Sequence, residues 1–484
     1  MLNSKAHVKE DPRHWIFDTD ENKVVEIKSG LVLKPGEQIK TNDSGEIINA
    51  EIENDSNALE QFKTNAANSA KEFQSGETYS TGNAKIDHAT KSMWKRLELC
   101  SSLLIRKLVT ASPIIVRFHN DADGSSGAYG LYKSLEDLSK RRKELGYKFN
   151  ITWIMQQSVS YSVYDASNDI MIANSYDPLE KPLLIMIDFG TSMESNNGLE
   201  QVKDRFNIIW LDHHPLVEGF KGLSLDTYVN PWNFGSDSNY TAGFLACVFS
   251  KTFSSRDTKE IENASLTGDC SIHAIPDMPG AELSLLLDLI TSDAKVAFGS
   301  ASTNITPYEI EKLLANKEKK EELIGFAKMR LSEVTDAALK ALKHYKTNSA
   351  IIYTLNFEGI RDEQSKYPLP GRFSSKLLDK IVELKKEPCI VIVHSGRYIS
   401  IRVSRELSEK VSLSKVIESI KESYAEVIEA GGGHMLASGI KLTDKVEKTK
   451  VVKEVISLLK KQLGGADEAD RQIKPSRSSR QQNQ

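Results

Sequence analysis

The chain has 484 residues, with 63 Lys and Arg against 67 Asp and Glu, and 39% hydrophobic residues. At about 150 residues per domain this length predicts about three domains, and 16 Phe, 15 Tyr and 5 Trp exclude a wholly disordered chain. No apolar run approaches the ~18 residues that span a bilayer, so no membrane partner is expected. The opening MLNSKAHVKEDPRHW lacks the apolar core of a secretory signal, and Cys100, Cys247, Cys270 and Cys389 show no CxxC spacing. A cytoplasmic protein without a structural zinc site is expected. The charge is unevenly divided: residues 1–350 hold 39 basic and 49 acidic side chains, and residues 351–484 hold 24 and 18. An acidic, metal-binding part beside a basic, phosphate-gripping part would produce this split, although charge patterning alone is weak support.

In chain order, HWIF, KVVEI, GLVL and EIINAEI, separated by the turn signals KPGE and NDSGE, predict short strands in residues 1–50. Residues 51–85 are polar and read as a linker. Met93, Leu97, Leu104 and Leu108 have the spacing of an amphipathic helix over 86–110. The strand PIIVRF follows at 113–118, then a helix from about Gly124 towards Leu145, which Gly146 would stop. NITWIM, PLLIMID and FNIIWLD predict strands at 150–155, 182–188 and 206–212, with helices near 192–204 and 240–254. Apolar strands alternating with helices predict an α/β fold with a parallel sheet. Residues 307–346 are charged and helical in pattern, and read as an insertion or bridge. AIIYTLNF, CIVIVHS and YISIRVS, with helices after Gly371 and near 413–427, predict a second, smaller α/β unit. The tail from Gly464 is polar, basic and expected to be disordered. The resulting partition is 1–85, 86–298, 299–347, 348–463 and 464–484.

Chemistry gathers where strands of the first unit end. Asp121 and Asp123 lie in FHNDADGSSG after PIIVRF, Asp188 ends PLLIMID, and Asp212, His213 and His214 end FNIIWL. Ligands of open α/β sheets sit outside the carboxyl ends of the strands, so these groups are expected to share one crevice. Asp269, in SLTGDCSIH, is a further candidate. Carboxylates mixed with imidazoles suit Mn²⁺, Mg²⁺ or Zn²⁺. A pair of divalent ions would offset the mutual repulsion of the carboxylates and could clamp the oxygens of a phosphoryl displacement. Each feature also has a plainer reading: Asp123 before Gly-Ser-Ser as a helix N-cap, adjacent histidines as hydrogen-bonded surface groups, Cys270 as a small buried hydrophobe, and His273 as a structural hydrogen-bonding group. Their coincidence at successive strand ends favours the metal site. In the second unit, Gly431, Gly432 and Gly433 would let backbone N–H groups approach a phosphate, with His434 and Arg402 adding charge-assisted contacts; a glycine run is also an ordinary flexible turn. Arg372, Arg397 and Arg405 are nearby basic residues without an assigned role.

DADG after a buried strand, a lone Asp ending a later strand, DHH and a further Asp resemble the DHH phosphoesterases, and GGGH behind ISIRVS resembles their DHH-associated domain. The resemblance covers roughly residues 110–275 and 350–445. Chain length, DADG and the intervening helical segment are most similar to RecJ-like nucleases of the archaeal type. The resemblance implies that Asp121, Asp123, Asp188, His213 and Asp269 are metal ligands for two divalent ions, Mn²⁺ or alternatively Mg²⁺, with Asp188 bridging. It implies that His214 contacts the scissile phosphate or orients its neighbour, that Asp212 holds an imidazole tautomer, and that Asn230-Pro231-Trp232 is a loop near the site. One position departs from the family pattern H-x-x-x-D-x-D: its histidine falls at Arg117, so either His119 substitutes or the first metal is held more weakly and arrives with substrate, while Arg117 could instead grip a phosphate bidentately. The implied activity is a metal-dependent exonuclease on single-stranded DNA or RNA that releases mononucleotides, in replication, repair or RNA turnover. A replication or repair protein could dock through the helical insertion or the N-terminal extension. The alternatives are a hydrolase of short oligonucleotides, phosphoadenosine phosphate or cyclic dinucleotides, and a non-catalytic replication scaffold.

Overall fold

The structure is a computed structural model that describes residues 13–18, 23–28, 38–41, 47–51, 78–110, 112–141, 151–176, 180–275, 278–299, 304–360, 366–434, 436–443 and 448–464. Near the start, β1 (Arg13–Asp18) pairs antiparallel with β2 (Lys23–Lys28), and β3 (Gln38–Thr41) with β4 (Ile47–Glu51). The expected strand GLVL, most of the 51–85 linker and the basic tail lie outside the described residues. The chain divides into two compact units, residues 1–331 with 363–369, and residues 332–362 with 370–484.

In the first unit, α1 (Ala84–Val109) begins at Asn83, whose side chain caps the amides of Lys85 and Ile86. Then β5 (Ile114–His119), α2 (Ala122–Arg141), β6 (Ile151–Gln156), α3 (Val163–Ala173), β7 (Leu183–Ile187), α4 (Asn196–Val202), β8 (Asn207–Leu211) and the short β9 (Tyr228–Val229) build a five-stranded sheet. Its order is β6-β5-β7-β8-β9 and every pairing is parallel. The apolar runs in β5, β7 and β8 are buried along nearly their whole length, because helices cover both faces of the sheet. On one face α2 packs with α5 (Ala242–Lys251), α6 (Lys259–Gly268) and α7 (Ala281–Ser292). On the other, Ala166 of α3 and Leu199 and Val202 of α4 join Ile115, Leu184, Met186, Ile208 and Trp210 in one core. Three more helices follow: α8 (Ala294–Phe298), α9 (Pro307–Ala315) and α10 (Lys317–Ala341). The expected helical stretch ends short of residue 346, because β10 (Lys343–Lys346) pairs with the next strand.

The second unit is a six-stranded mixed sheet of order β10-β11-β12-β13-β15-β14. Its remaining strands are β11 (Ile351–Asn356), β12 (Cys389–Ser395), β13 (Tyr398–Val403), β14 (Ile428–His434) and β15 (Ala437–Leu442). α11 (Pro370–Lys385) packs on β12 and β13. α12 (Leu413–Ser423) and α13 (Lys448–Gln462) cover the other face. Leu413, Val416, Ile417 and Ile420 recur at helical spacing, and α12 buries that stripe against Ile390, Ile392 and Ile401. No helix among the described residues is long and apolar enough to cross a membrane.

Trp210 of β8 is fully buried, its ring edge-on to Phe220 and Tyr228 at centroid distances of 5.0 and 6.3 Å, and its indole N–H donates to the Phe189 carbonyl at 2.8 Å. The turn after β7 passes so close that a Cβ on Gly190 (φ +95°) would lie 2.4 Å from the ring, whereas Gly235 (φ +74°) has open space around it. Gly190→Ala therefore combines overpacking with a left-handed backbone and should lower unfolding stability by about 2–5 kcal/mol. Gly235→Ala should cost about 1 kcal/mol, from the backbone alone. Urea denaturation of both variants checks this, and equal losses would refute the packing argument. In β12, burial first, then the Lys448 charge, pushes the His394 imidazole down from its ordinary 6.5 to about 4. As pH falls below 6.5 the unfolded chain takes up this proton before the folded one does. Stability is thus lost between about 6.5 and about 4, and His394→Leu should flatten that part of the stability curve measured by urea midpoints.

Candidate metal centre

β5 and β7 are adjacent, but the chain leaves β5 for β6 and leaves β7 for β8, on opposite sides. Their carboxyl ends therefore diverge into a crevice, the usual ligand position of such sheets. His119 ends β5, and its Nδ1 lies 2.7 Å from Asp121 Oδ2 and 3.6 Å from Asp188 Oδ2. Asp121 also caps α2, its Oδ1 accepting the Gly124 amide at 3.0 Å. Asp123, expected as either cap or ligand, is not the cap of α2: it lies in the first turn of that helix and its carboxylate reaches the start of α5. Its carboxylate accepts the Ala242 and Gly243 amides, both at 2.9 Å, and the Ser265 hydroxyl. A Cβ at residue 243 would sit 2.3 Å from the Asp123 carbonyl, so glycine permits this approach. Asp188 follows β7 in a left-handed backbone (φ +67°), an unusual state for a residue with a Cβ.

His213, buried beyond the end of β8, joins the two sides. Its Nε2 lies 3.3 Å from Asp188 Oδ1, 3.2 Å from Asp269 Oδ2 and 3.7 Å from Asp123 Oδ2. Its Nδ1 is 2.8 Å from the Ser238 carbonyl, which directs Nε2 at the carboxylates. Three overlapping side-chain groups thus have ligand atoms close enough to hold a metal: His119 with Asp121 and Asp188, Asp123 with His213 and Asp269, and Asp188 with His213 and His214. The donors, carboxylate oxygens and imidazole nitrogens, fit divalent cations such as Mn²⁺ or Mg²⁺. His214 is about one-third exposed and its Nδ1 lies 2.7 Å from Asp212 Oδ1. Asp212 is fully buried and also accepts from the Thr191 amide and hydroxyl.

Burial, followed by the Asp188 charge, raises the Asp123 carboxyl to about 7, although His213 opposes the rise. Burial likewise raises Asp269 to about 6, and raises Asp188 with help from Asp121. Asp121 goes the other way: despite burial, the His119 charge and hydrogen bond hold it below the usual carboxylate range. Burial alone would lower His119 and His213, but the surrounding carboxylates raise both well above 6.5. The rise reflects the need of clustered carboxylates for an opposing positive charge.

In the second unit, Gly431, Gly432 and Gly433 lie within β14, at the edge of the sheet, rather than in a turn. Register places His434 opposite Ala437, which in turn pairs with Arg402. A Cβ at Gly432 would meet nothing within 4 Å, so packing within the chain does not demand glycine there. The Arg402 guanidinium donates to the hydroxyls of Ser375 and Ser400 and to the carbonyls of Gly371 and Ile401. It ties β13 to α11. Arg397 faces Glu429 at 3.3 Å on the surface.

Residues 113–275, which carry every ligand of this cluster, match the family model described as the DHH family, N-terminal domain. The chain carries a DHH-family domain. An uncharacterized protein of Methanocaldococcus jannaschii is 24% identical over 362 residues, covering 64% of this chain and 46% of that protein. The chain thus spans about half the length of that curated relative. A solved structure described as the DHH domain of a member of a family of ribosomal proteins superposes with a TM-score of 0.68 at 18% identity, covering 85% of this chain and 99% of that one. RecJ from Thermus thermophilus in complex with Mn²⁺ superposes with a TM-score of 0.44 at 14% identity, covering 78% of this chain and 59% of that one.

The DHH-family domain contains supports that the sequence did not single out. Ser265 bonds Asp123, Thr191 holds Asp212, and the Ser238 carbonyl orients His213; none has a motif, because each acts across 21 to 142 residues of chain. Asn230 donates to the His214 carbonyl at 2.9 Å. Cys270, expected to be buried, is exposed at φ +53° on the turn that leaves α6. His273 lies 3.3 Å from the Asn83 side chain. Arg117 is not at the cluster, and the alternative in which it grips phosphate fails. Its guanidinium is 3% exposed and donates to Asp169 at 2.8 Å, to Gln156 at 2.7 Å and to Asp165. Removing one partner of a buried ion pair leaves the other charge uncompensated. Arg117→Ala should therefore lower stability by about 3–5 kcal/mol. Chemical denaturation checks this; a loss below about 1 kcal/mol would reopen Arg117 as a free phosphate ligand.

Proposed function

We propose that this chain is a divalent-metal-dependent phosphodiesterase that trims single-stranded DNA or RNA from an end and releases mononucleotides. The DHH family is one of phosphoesterases, and the observation that carries the reading is the placement of Asp188: one carboxylate oxygen faces His119 and the other faces His213. Asp188 belongs to two groups of possible ligands, one with His119 and Asp121 and one with His213 and His214. In this reading His119, Asp121 and Asp188 would hold one divalent ion, and Asp123, His213 and Asp269, with Asp188, would hold the second. His119 takes the place of the family histidine whose position is occupied by Arg117. Divalent ions held there would supply water activation near neutral pH and charge stabilisation for a phosphoryl displacement.

The chain's own groups do the rest. Asp123 keeps its orientation through the two α5 amides and the Ser265 hydroxyl, so little reorganisation accompanies binding. His214, with Nδ1 committed to Asp212 and its ring partly exposed, presents Nε2 to a phosphate oxygen. Gly431, Gly432 and Gly433, with His434 and Arg402, form the phosphate-binding element of the second unit in this reading. Arg402 contributes from a position braced by Gly371 and Ser375.

Digestion of end-labelled single-stranded DNA and RNA of several lengths with Mn²⁺ should yield mononucleotides. The label reports polarity, and the length series separates this activity from hydrolysis of very short oligonucleotides. EDTA should abolish cleavage and added Mn²⁺ restore it. Asp188→Asn should lower cleavage by about 100-fold or more and weaken Mn²⁺ binding in calorimetry, with an unchanged circular dichroism spectrum. Cleavage that persists in EDTA or in Asp188→Asn would refute the metal site. A wild-type chain that binds nucleic acid and never cuts it would leave the scaffold reading in place.

A further inference from the structure

Trp232 stands apart from the other aromatic residues around the site. Trp210 in β8 is fully buried, whereas Trp232 is 37% exposed. The ring is nevertheless held at its polar edge, because the indole N–H donates to the His213 carbonyl at 3.2 Å and to the Ser238 hydroxyl at 3.0 Å. Its amide donates to the Asn230 side chain at 3.0 Å, and Pro231 between them is buried. Aromatic residues ordinarily bury their apolar faces and leave a polar tip wet. Here the polar tip is bonded to the protein and apolar ring surface is left to solvent. The same residue, His213, aims its imidazole at the carboxylates and offers its carbonyl to this indole. A partly exposed aromatic ring is thereby tethered to the backbone of His213, whose imidazole belongs to the metal-ligand cluster.

We propose that the exposed indole of Trp232 is a stacking platform for a nucleobase of the strand whose phosphate lies at the cluster. This rests on the nucleic-acid reading above and adds to it a specific recognition element. A nucleotide carries its base one sugar away from its phosphate, so the group that reaches the ring is one attached to the phosphate being processed. Every base has a π-face, so stacking would hold strands of any sequence, as a trimming enzyme requires. Because the ring is already held by its one indole N–H, shared between the His213 carbonyl and the Ser238 hydroxyl, little side-chain freedom is lost when a base stacks on it.

The test compares two single-stranded oligonucleotides of equal length, one of thymidine nucleotides and one of abasic tetrahydrofuran nucleotides, which share phosphates and lack only the bases. Cleavage with Mn²⁺ is measured for wild type, Trp232→Leu and Trp232→Phe, together with binding by fluorescence anisotropy in Ca²⁺. Wild type should prefer the base-bearing strand about 10-fold in both measurements. Trp232→Leu should lose that preference, and Trp232→Phe, which keeps a ring but no N–H, should keep most of it. A wild type indifferent to the bases overturns the proposal. So does a Trp232→Leu variant that loses cleavage of both strands equally with its preference intact, which would make Trp232 a brace for His213 only. If wild type cuts neither strand and binds neither, the nucleic-acid reading itself fails, which is a separate outcome from loss of preference in the variant.

Discussion

The structure depends on one electrostatic constraint: Asp121, Asp123, Asp188 and Asp269 crowd into a single, largely buried crevice. Carboxylates so placed repel one another, and burial removes the water that would screen them. The fold meets this with two imidazoles set against the carboxylates, His119 and His213, and with the start of α5, whose amides face Asp123. That is a large concentration of opposing charge to maintain for structural purposes alone. A packed apolar cluster would stabilise the crevice better. The arrangement is most simply understood as a site prepared for cations stronger than a protonated histidine.

The strand order is what brings the groups together. Because β6 and β8 lie on opposite sides of the β5–β7 pair, the segments after β5 and β7 part and leave room between them. His119, Asp121 and Asp123 come from one lip, Asp188, His213 and His214 from the other, and Asp269 closes the end from α6. A further layer then holds each imidazole in one orientation. Asp212, Thr191, Tyr228 and Asn230 bond in sequence behind His214, and Ser238 with Trp232 grips the backbone and ring of His213. The DHH turn is therefore tied at each residue, which suits chemistry that tolerates little displacement of its ligands.

Much of this was legible along the chain. Apolar runs ending in Asp or His located β5, β7 and β8 and the cluster at their carboxyl ends, since a fully buried parallel strand reads as a continuous apolar segment. α2 starts two residues before Gly124, because a helix capped by Asp121 carries its next carboxylate, Asp123, already inside the first turn. Residues 343–346 resemble the helix before them and become a strand only because β11 offers a partner. Gly431 to Gly433 look like a turn and are extended, since β15 pairs with them on one side. Cys270 has the composition of a core residue and is exposed by the left-handed turn it occupies.

The sequence by itself determined the chemistry on offer: which carboxylates and histidines follow buried strands, and that their types suit hard divalent cations. Local patterning suffices for that, because strand periodicity and residue type are read from neighbours along the chain. Only the tertiary structure decided how those groups are used. It set His119 beside Asp121 and Asp188, and withdrew Arg117 into a buried pair with Asp169. It gave Asp123 to the amides of a helix 119 residues away, and turned the Trp232 indole N–H onto the His213 carbonyl. Ion-pair partners, tautomers and exposure depend on groups brought together by folding, and nothing in the spacing of one segment records the charge it meets from another.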